Sequence, residues 1–249
     1  INISMSDKFK DILEEIKGSR SILKAYAPSV GKEVEISPLT LAQQKLIIET
    51  SSDTTLGVLF FNNIFYKILK ENISEDIKQF NTVDRVNLTL VLRQHLKNEI
   101  NVDENEIDLS SILKRNSSIE YNIKPKTIKT GDFILSVEAP DLNIDNFINT
   151  HLLNKYKSTT FDENKLKNLI SDLYACEILK FIKKIQINDK EVDLHTELSQ
   201  SLKLIESIDG VHFQPVTEYI NKVRELESKF AHDPVSEKGI DITPELFIL

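Results

Sequence analysis

The sequence predicts an α+β fold that is mostly α-helical, with a small antiparallel β-sheet. Most of the 249 residues lie in segments whose apolar residues recur every three or four positions, which is the period of a helix with one buried face. Between residues 99 and 140, two stretches alternate apolar and polar residues instead, as strands do. Hydrophobic residues make up 40% of the chain and charged residues 28%, so its composition is that of an ordinary globular protein.

Residues 1–30 are predicted to form an amphipathic helical arm, and residues 31–249 a mainly helical body with a small β subdomain around residues 99–140. The arm begins with a short helix that Gly18 ends, and residues 19–30 continue the helical pattern more weakly. It could pack on its own body, which is the simpler expectation, or on another chain. The residues predicted to share its apolar face are Phe9, Ile12, Leu13 and Ile16.

The segment GKEVEISPLTLAQQKLIIET, residues 31–50, changes from the period of a strand to that of a helix. Val34 and Ile36 alternate with polar residues, and Pro38 then ends the strand. Thr40 can cap the helix that follows. This segment is therefore predicted to be a strand that turns directly into a helix.

The next two segments are predicted to be core helices. Residues 56–72 are apolar on nearly every side, which indicates a buried, central helix. Residues 83–97 alternate like a strand, but Asp84 near their start and Arg93 near their end suit the dipole of a helix. A helix is the preferred interpretation of 83–97, with a strand as the alternative.

The sheet is predicted from IEYNIK at 119–124 and FILSVEAP at 133–140, with Gly131 in the turn between them. A tight hairpin is predicted separately at residues 185–194. Residues that could extend the edge of the sheet are Val34, Ile36, Ile107 and Leu109.

The segment after Leu142 is again helical in pattern. One helix over residues 162–184 has a wide apolar face, with Cys176 on or beside it as a buried, inert thiol. The last helix repeats apolar residues over two heptads, and either packs within the fold or contacts another chain. The wide face comprises Leu166, Leu169, Ile170, Leu173, Leu179 and Ile182, and the last helix carries Val216, Tyr219, Val223, Leu226 and Phe230.

No motif for catalysis, a cofactor or a metal is found. Neither GxxxxGK[ST] nor GxGxxG is present to hold phosphate, and GxSxG is also absent. The five histidines are scattered and the chain has one cysteine, so neither a disulfide nor a thiolate zinc site is expected. The net charge of -8 argues against a nucleic-acid groove, and no eighteen-residue apolar run suggests a membrane span. We expect no catalytic, cofactor-binding or metal-binding residues, and neither nucleic acid nor membrane as a partner.

Four segments also show a resemblance to known proteins. Residues 31–50 run from a short strand through a Pro-containing turn into a helix with Lys45 near its middle, and FNTVDRVNLTLVLRQHL has Asp-Arg before an apolar run that ends in Leu-Arg. NEIDLSSI at 105–112 contains an Ile-Asp-Leu segment, and GIDITPELFIL at 239–249 resembles a C-terminal strand with an aromatic ending. In this order they resemble the baseplate proteins of T-even-type contractile-tailed bacteriophages, a family that includes baseplate hub subunits and the hub assembly factor. The residues of the second segment that match are Asp84, Arg85, Leu92 and Arg93.

This resemblance implies a non-enzymatic viral assembly protein, either a subunit or an assembly factor of a tail baseplate hub. Its expected partners are other hub or tail proteins, or copies of itself, in the host cytoplasm during assembly and in the virion if it remains in the baseplate. Many relatives carry paired cysteines before the Ile-Asp-Leu segment and the final strand, and because this chain has none there, we expect no metal. The alternative is an acidic regulatory or host-directed module that binds a basic protein. Residues predicted to contact a partner are Phe9, Ile12, Leu226, Phe230 and Phe247.

Overall fold

The computed structural model describes residues 7–53 and 55–248 and confirms a mostly helical α+β fold with small antiparallel sheets. Within these residues the helices are α1 (Asp7–Gly18), α2 (Leu41–Glu49), α3 (Gly57–Asn72), α4 (Thr82–Leu96), α5 (Leu109–Asn116), α6 (Leu142–Tyr156), α7 (Glu163–Phe181), α8 (Leu198–Glu206) and α9 (Gln214–Phe230). The strands are β1 (Leu23–Ala27), β2 (Lys32–Ile36), β3 (Glu99–Val102), β4 (Asn105–Asp108), β5 (Lys126–Thr130), β6 (Phe133–Val137), β7 (Ile182–Ile187) and β8 (Lys190–Asp193).

The strands form two separate hairpins and one four-stranded antiparallel sheet. β1 pairs with β2, β3 pairs with β4, and the sheet has the order β5-β6-β7-β8. One cross-strand row of this sheet, Ile128, Leu135 and Ile185, is buried against the helices. The polar side chains that alternate with this row face solvent, as expected for an antiparallel sheet with one packed face.

The helical arm is shorter than predicted, because residues 23–27 form a strand. Ala25 and Ala27 are buried and alternate with Lys24 and Tyr26, which is the period of a strand. β1 pairs antiparallel with β2 across a turn in which Gly31 has a φ of +69°, a conformation that glycine adopts readily. The prediction that residues 19–30 continue the arm as a helix is therefore wrong, and β1 packs with the body.

The composition of the sheet also differs from the prediction. The turn at Gly131 is correct, but the strand before it is β5, and residues 119–124 contribute Ile119 and Ile123 to the core without forming a strand. The edge residues proposed from sequence lie in the separate hairpins, or, in the case of Leu109, at the start of α5. The predicted hairpin at 185–194 is confirmed as β7 and β8, which complete the sheet by pairing with β6.

The core consists of two clusters of buried residues, one of which surrounds the aromatic residues of α3. Phe61 and Phe65 are fully buried, with ring centroids 5.3 Å apart, and Phe247 packs against both. α4 confirms the helical interpretation of 83–97, and it is buried on almost every side, which explains the strand-like alternation. Asn81 caps α4 by accepting hydrogen bonds from Val83 N and from the backbone of the third helical residue.

Candidate protein-contact surfaces

The N-terminal face consists of Phe9, Ile12, Leu13 and Ile16, and it is exposed. Phe9 is 63% exposed and Ile16 is 51% exposed, and every side chain from residue 9 to residue 22 is classed as exposed. An isolated helix of about 12 residues is marginal in water, because nucleation is costly and few hydrogen bonds compensate for it. α1 therefore presents an apolar face that gains little from burial within its own chain.

The five residues predicted to contact a partner fall into two groups. Phe9 and Ile12 lie on the N-terminal face and are exposed. Leu226, Phe230 and Phe247 are core residues with exposures of 7%, 0% and 0%. α9 packs against α4 and α7, which buries its heptad positions, and Phe247 packs on the rings of α3. Predicting these three as partner contacts was wrong, because the fold itself covers their side chains.

The second exposed apolar surface, called the α7 face here, lies on the first half of α7. Only part of the wide apolar face of helix α7 is buried. Leu169, Cys176 and Leu179 are buried, whereas Ile170 is 59% exposed and Tyr174 is 67% exposed. The sequence predicted this wide apolar face but did not indicate that only part of it would be buried. The residues that form the α7 face are Leu166, Ile170, Leu173 and Tyr174.

Two surface depressions adjoin the α7 face, one on each side of Tyr174. The first, of about 320 Å³, lies between α7 and α9 and has Ile178 and Ile220 in its lining. The second, of about 220 Å³, lies between α7 and the end of α8 and includes Ile205 and Phe213. The apolar part of each lining can accept a side chain of an amphipathic helix laid across it.

A larger depression of about 580 Å³ separates β3 from residues 239–248. Its lining includes the guanidinium of Arg93, which donates a hydrogen bond to the carbonyl oxygen of Leu246 at 2.5 Å and another to that of Glu99 at 3.2 Å. The first bond holds the C-terminal segment against the end of α4, and the second holds the start of β3 there. The strand that the resemblance implied in residues 239–249 is not found, and the described part of this segment contains a 3₁₀ turn at Pro244–Phe247.

A buried cluster of charges ties α4, α6 and α7 together. The carboxylate of Asp145 lies 2.6 Å from the guanidinium of Arg85 and 2.8 Å from the ammonium of Lys180, and it accepts a hydrogen bond from Asn149 at 3.0 Å. Burial acts to raise the pKa of Asp145, but Lys180 and Arg85 outweigh it and hold that pKa well below its ordinary value. Asp145 is therefore an ionised group whose oxygens are already engaged, which suits a structural role.

The cluster continues to the surface through Glu177. Its carboxylate lies 3.6 Å from the ammonium of Lys180 and 3.1 Å from the guanidinium of Arg224 on α9. Arg224 lines the depression between α7 and α9. It also lines another depression, of about 370 Å³, whose lining includes Glu227. Burial raises the pKa of Glu227. Charges of both signs alternate along this path and largely compensate one another.

Among the described residues, Asp84 and Glu227 are the acids whose pKa values burial raises, and they do not meet in one cleft. Burial raises the pKa of Asp84, but its carboxylate accepts hydrogen bonds from Ser29 N at 2.9 Å and from Asn81 N at 2.8 Å, and it does not line the depression beside Glu227. Asp84 therefore joins the β1–β2 turn to the start of α4. Catalysis by a pair of carboxyl groups needs both to face one substrate, and Asp84 and Glu227 are not arranged in this way.

Burial raises the pKa of Cys176 to about 11, which makes its thiol a poor nucleophile. In residues 7–53 and 55–248, no group of three or more His, Cys, Asp or Glu side chains is arranged to hold a metal ion. In the same ranges, none of the helices combines the length and apolar character required to cross a bilayer.

Neither the ion cluster nor the exposure of Tyr174 was predicted from the sequence. The only local signal for the cluster was the Asp-Arg pair at residues 84–85, since its partners Asp145 and Lys180 come from two distant helices. Tyr174 stands at helical spacing from Ile170, but sequence spacing does not specify which part of a wide apolar face remains uncovered. Comparison of the chain with protein-family models, with curated proteins and with solved structures found no match.

Proposed function

We propose that this protein is a non-enzymatic assembly protein of a contractile phage tail baseplate hub. It is either a subunit of the hub or a factor that assembles it, and it acts through contacts with other hub or tail proteins in the host cytoplasm. The observation that carries the proposal is the N-terminal face, an amphipathic helix whose apolar side chains lie in solvent. An exposed helix of this kind gains its stability by packing on another surface.

The positions of the segments that carry the phage resemblance support the proposal. α2 packs on the 3₁₀ turn at Pro244–Phe247 and α4 packs on α5. Gln44 donates a hydrogen bond to the carbonyl oxygen of Phe247 at 3.1 Å, and Arg93 donates one to that of Leu246. Segments that are far apart in sequence therefore form one neighbourhood of the fold, as expected if they belong to a common structural pattern.

The use of the buried charges also agrees with a structural role. Arg85 and Lys180 both bind Asp145, and Asp84 binds backbone and side-chain donors of the same chain. These groups hold helices and a hairpin in place. A protein that works as a rigid contact surface needs such fixed elements, because an ordered surface loses less conformational entropy on binding.

Co-expression with single hub proteins of a T-even-type phage, followed by size-exclusion chromatography, tests the proposal. We expect the wild-type chain to co-elute with at least one hub protein, and Ile12→Asp to weaken that complex by tenfold or more. Val235→Asp is the matched control, because Val235 is 85% exposed and lies outside both apolar faces. A chain that elutes alone with every hub and tail protein would refute the proposal, and mass spectrometry of purified virions would distinguish a permanent subunit from a transient factor.

The net charge of -8 favours a second candidate, an acidic regulatory or host-directed module that binds a basic protein. Such a complex would depend mainly on electrostatic attraction between exposed charges, which salt screens over about 8–10 Å at physiological ionic strength. Raising the salt from 0.05 to 0.5 M would then dissociate it. A hub complex held by the N-terminal face would persist, because burial of apolar surface depends little on screening.

A further inference from the structure

The N-terminal face and the α7 face are similar in length and composition. From Phe9 to Ile16 the helix rises about 11 Å, and from Leu166 to Tyr174 about 12 Å, at roughly 1.5 Å per residue. Each face presents one aromatic and three aliphatic side chains at helical spacing. A helix of the size of α1 therefore fits along the exposed part of α7, with Tyr174 and the two depressions beside it able to receive its larger side chains.

The chain geometry opposes contact between the two faces within one molecule. Residues 19–22 join α1 to β1, and four residues span at most about 14 Å. β1 packs on α4, α4 packs on α9, and α9 packs on α7. In the described residues both faces are exposed, so α1 does not lie along its own α7, and an α7 face that covers α1 would belong to another molecule.

The available area distinguishes between two ways of pairing the copies. From the exposed fractions, each face presents roughly 400 Å² of apolar surface, given about 150–250 Å² for an exposed aromatic side chain and less for an aliphatic one. Two α1 helices paired with each other would bury roughly 800 Å² in total, which is typical of weak contacts. Two reciprocal contacts between α1 and α7 would bury roughly 1,600 Å², which is the size of a standard stable interface.

We propose that two copies of this chain form a symmetric dimer in which α1 of each copy lies along the α7 face of the other. The two contacts are identical by two-fold symmetry, because each copy supplies one N-terminal face and accepts one. This dimer goes beyond the proposed function and does not depend on it, and because both use the N-terminal face, a hub protein that binds this face would displace the second copy. It uses surface that the fold leaves uncovered and gives α1 the packing that a helix of its length needs.

Disulfide trapping between two different variants tests the arrangement, and the chain suits it because Cys176 is buried and poorly reactive. Ile16→Cys is prepared with one tag and Ile170→Cys with another, and the two are mixed under mild oxidation. We expect a mixed disulfide between chains that carry different tags. Val235→Cys in place of Ile170→Cys is the control and should give little product.

Light scattering after size-exclusion chromatography measures the association without cross-linking. We expect a wild-type dimer at micromolar concentration, and we expect Ile12→Asp and Ile170→Asp each to raise the dimer dissociation constant at least tenfold. Val235→Asp should leave it within twofold. All three positions are exposed, so we expect each variant to fold, and circular dichroism measures whether it does.

Three results would overturn this dimer. The first is a wild-type chain that remains monomeric up to about 100 μM. The second is an Ile16→Cys variant that cross-links to itself more readily than to Ile170→Cys, which would indicate pairing of two α1 helices. The third is a chain with both substitutions that closes an internal disulfide and gives no mixed product, which would place α1 on its own α7. All three are measured on the protein alone, so they are independent of the hub co-elution experiment.

Discussion

Asp145→Asn tests whether the buried ion cluster holds the helices together. The substitution keeps the size of the side chain but removes the negative charge that lies 2.6 Å from Arg85 and 2.8 Å from Lys180. The side chains of Asp145, Lys180 and Arg85 are 5%, 12% and 19% exposed, so water cannot replace the lost partner well. Breaking a buried pair by removing one member costs about 3–5 kcal/mol, because here Arg85 and Lys180 would be left buried without the carboxylate that they share.

The assay is urea unfolding at pH 7, followed by far-ultraviolet circular dichroism. We expect the free energy of unfolding to fall by about 3–5 kcal/mol. Glu163→Gln is the matched control, since it breaks an ion pair with Lys167 in which both side chains are largely exposed, and such helical pairs contribute only about 0.3–0.5 kcal/mol. A cost for Asp145→Asn that does not exceed the cost of the control would refute the structural role of the cluster.

The pH dependence of stability provides an independent check. Folding lowers the pKa of Asp145 below the ordinary aspartate value of 3.8, which the unfolded chain is expected to have. The Asp145 carboxyl group therefore loses its proton more readily in the folded state than in the unfolded state. The stabilisation from Asp145 is therefore fully present above about pH 5 and is lost as the pH falls below about 4 toward the folded pKa. The free energy of unfolding should decline less steeply with falling pH in Asp145→Asn than in the wild type.

The other predictions concern the buried residues Phe230 and Asn116 and the turn at Gly131. Phe230→Ala should lower the free energy of unfolding by about 3–5 kcal/mol because the ring is fully buried. Phe9→Ala should change it by less than about 0.5 kcal/mol. Equal costs of the two substitutions in denaturant titrations would contradict the core position of Phe230. Gly131→Ala should cost about 1–3 kcal/mol, because φ is +56° and a Cβ atom would lie 2.7 Å from His212 Cε1. Gly131→Ala should lower the melting temperature less in a His212→Ala background than in the wild type, and an equal loss in both backgrounds would exclude a clash. Asn116→Ala should cost about 1–3 kcal/mol, because its amide donates to two buried oxygen atoms at 2.9 and 2.8 Å; a neutral result in thermal unfolding would show that these bonds are dispensable.

Elements whose pattern is local were predicted correctly from sequence. The helix at residues 56–72, the turn at Gly131 and the hairpin at 185–194 each depend on apolar spacing or turn residues within a short segment, and the structure has all three. The ambiguous segment 83–97 was identified as a helix from charges near its ends. Its burial on almost every side explains why spacing alone was inconclusive, since its buried residues include polar ones such as Asp84, Asn87 and Thr89 and do not mark a single apolar face.

Elements that depend on distant partners were predicted less well. The residues of β1 were predicted to continue the helical arm weakly, and only their pairing with β2 shows that they form a strand. β6 pairs with β7, which lies about fifty residues further along the chain. The spacing of apolar residues within either strand does not specify that pairing. The ion cluster is a similar case, because Asp145 and Lys180 meet Arg85 only when α4, α6 and α7 pack together.

The sequence by itself determined the fold class and the amphipathic character of α1, α7 and α9, because side-chain spacing along a helix is a local property. It could not determine which apolar faces the fold would cover. α9 and α7 both show apolar residues at helical spacing, yet Phe230 is fully buried and Ile170 is 59% exposed. Only tertiary packing decides this, because exposure depends on where the other helices lie in space, and that arrangement left the N-terminal face and the α7 face open to a partner.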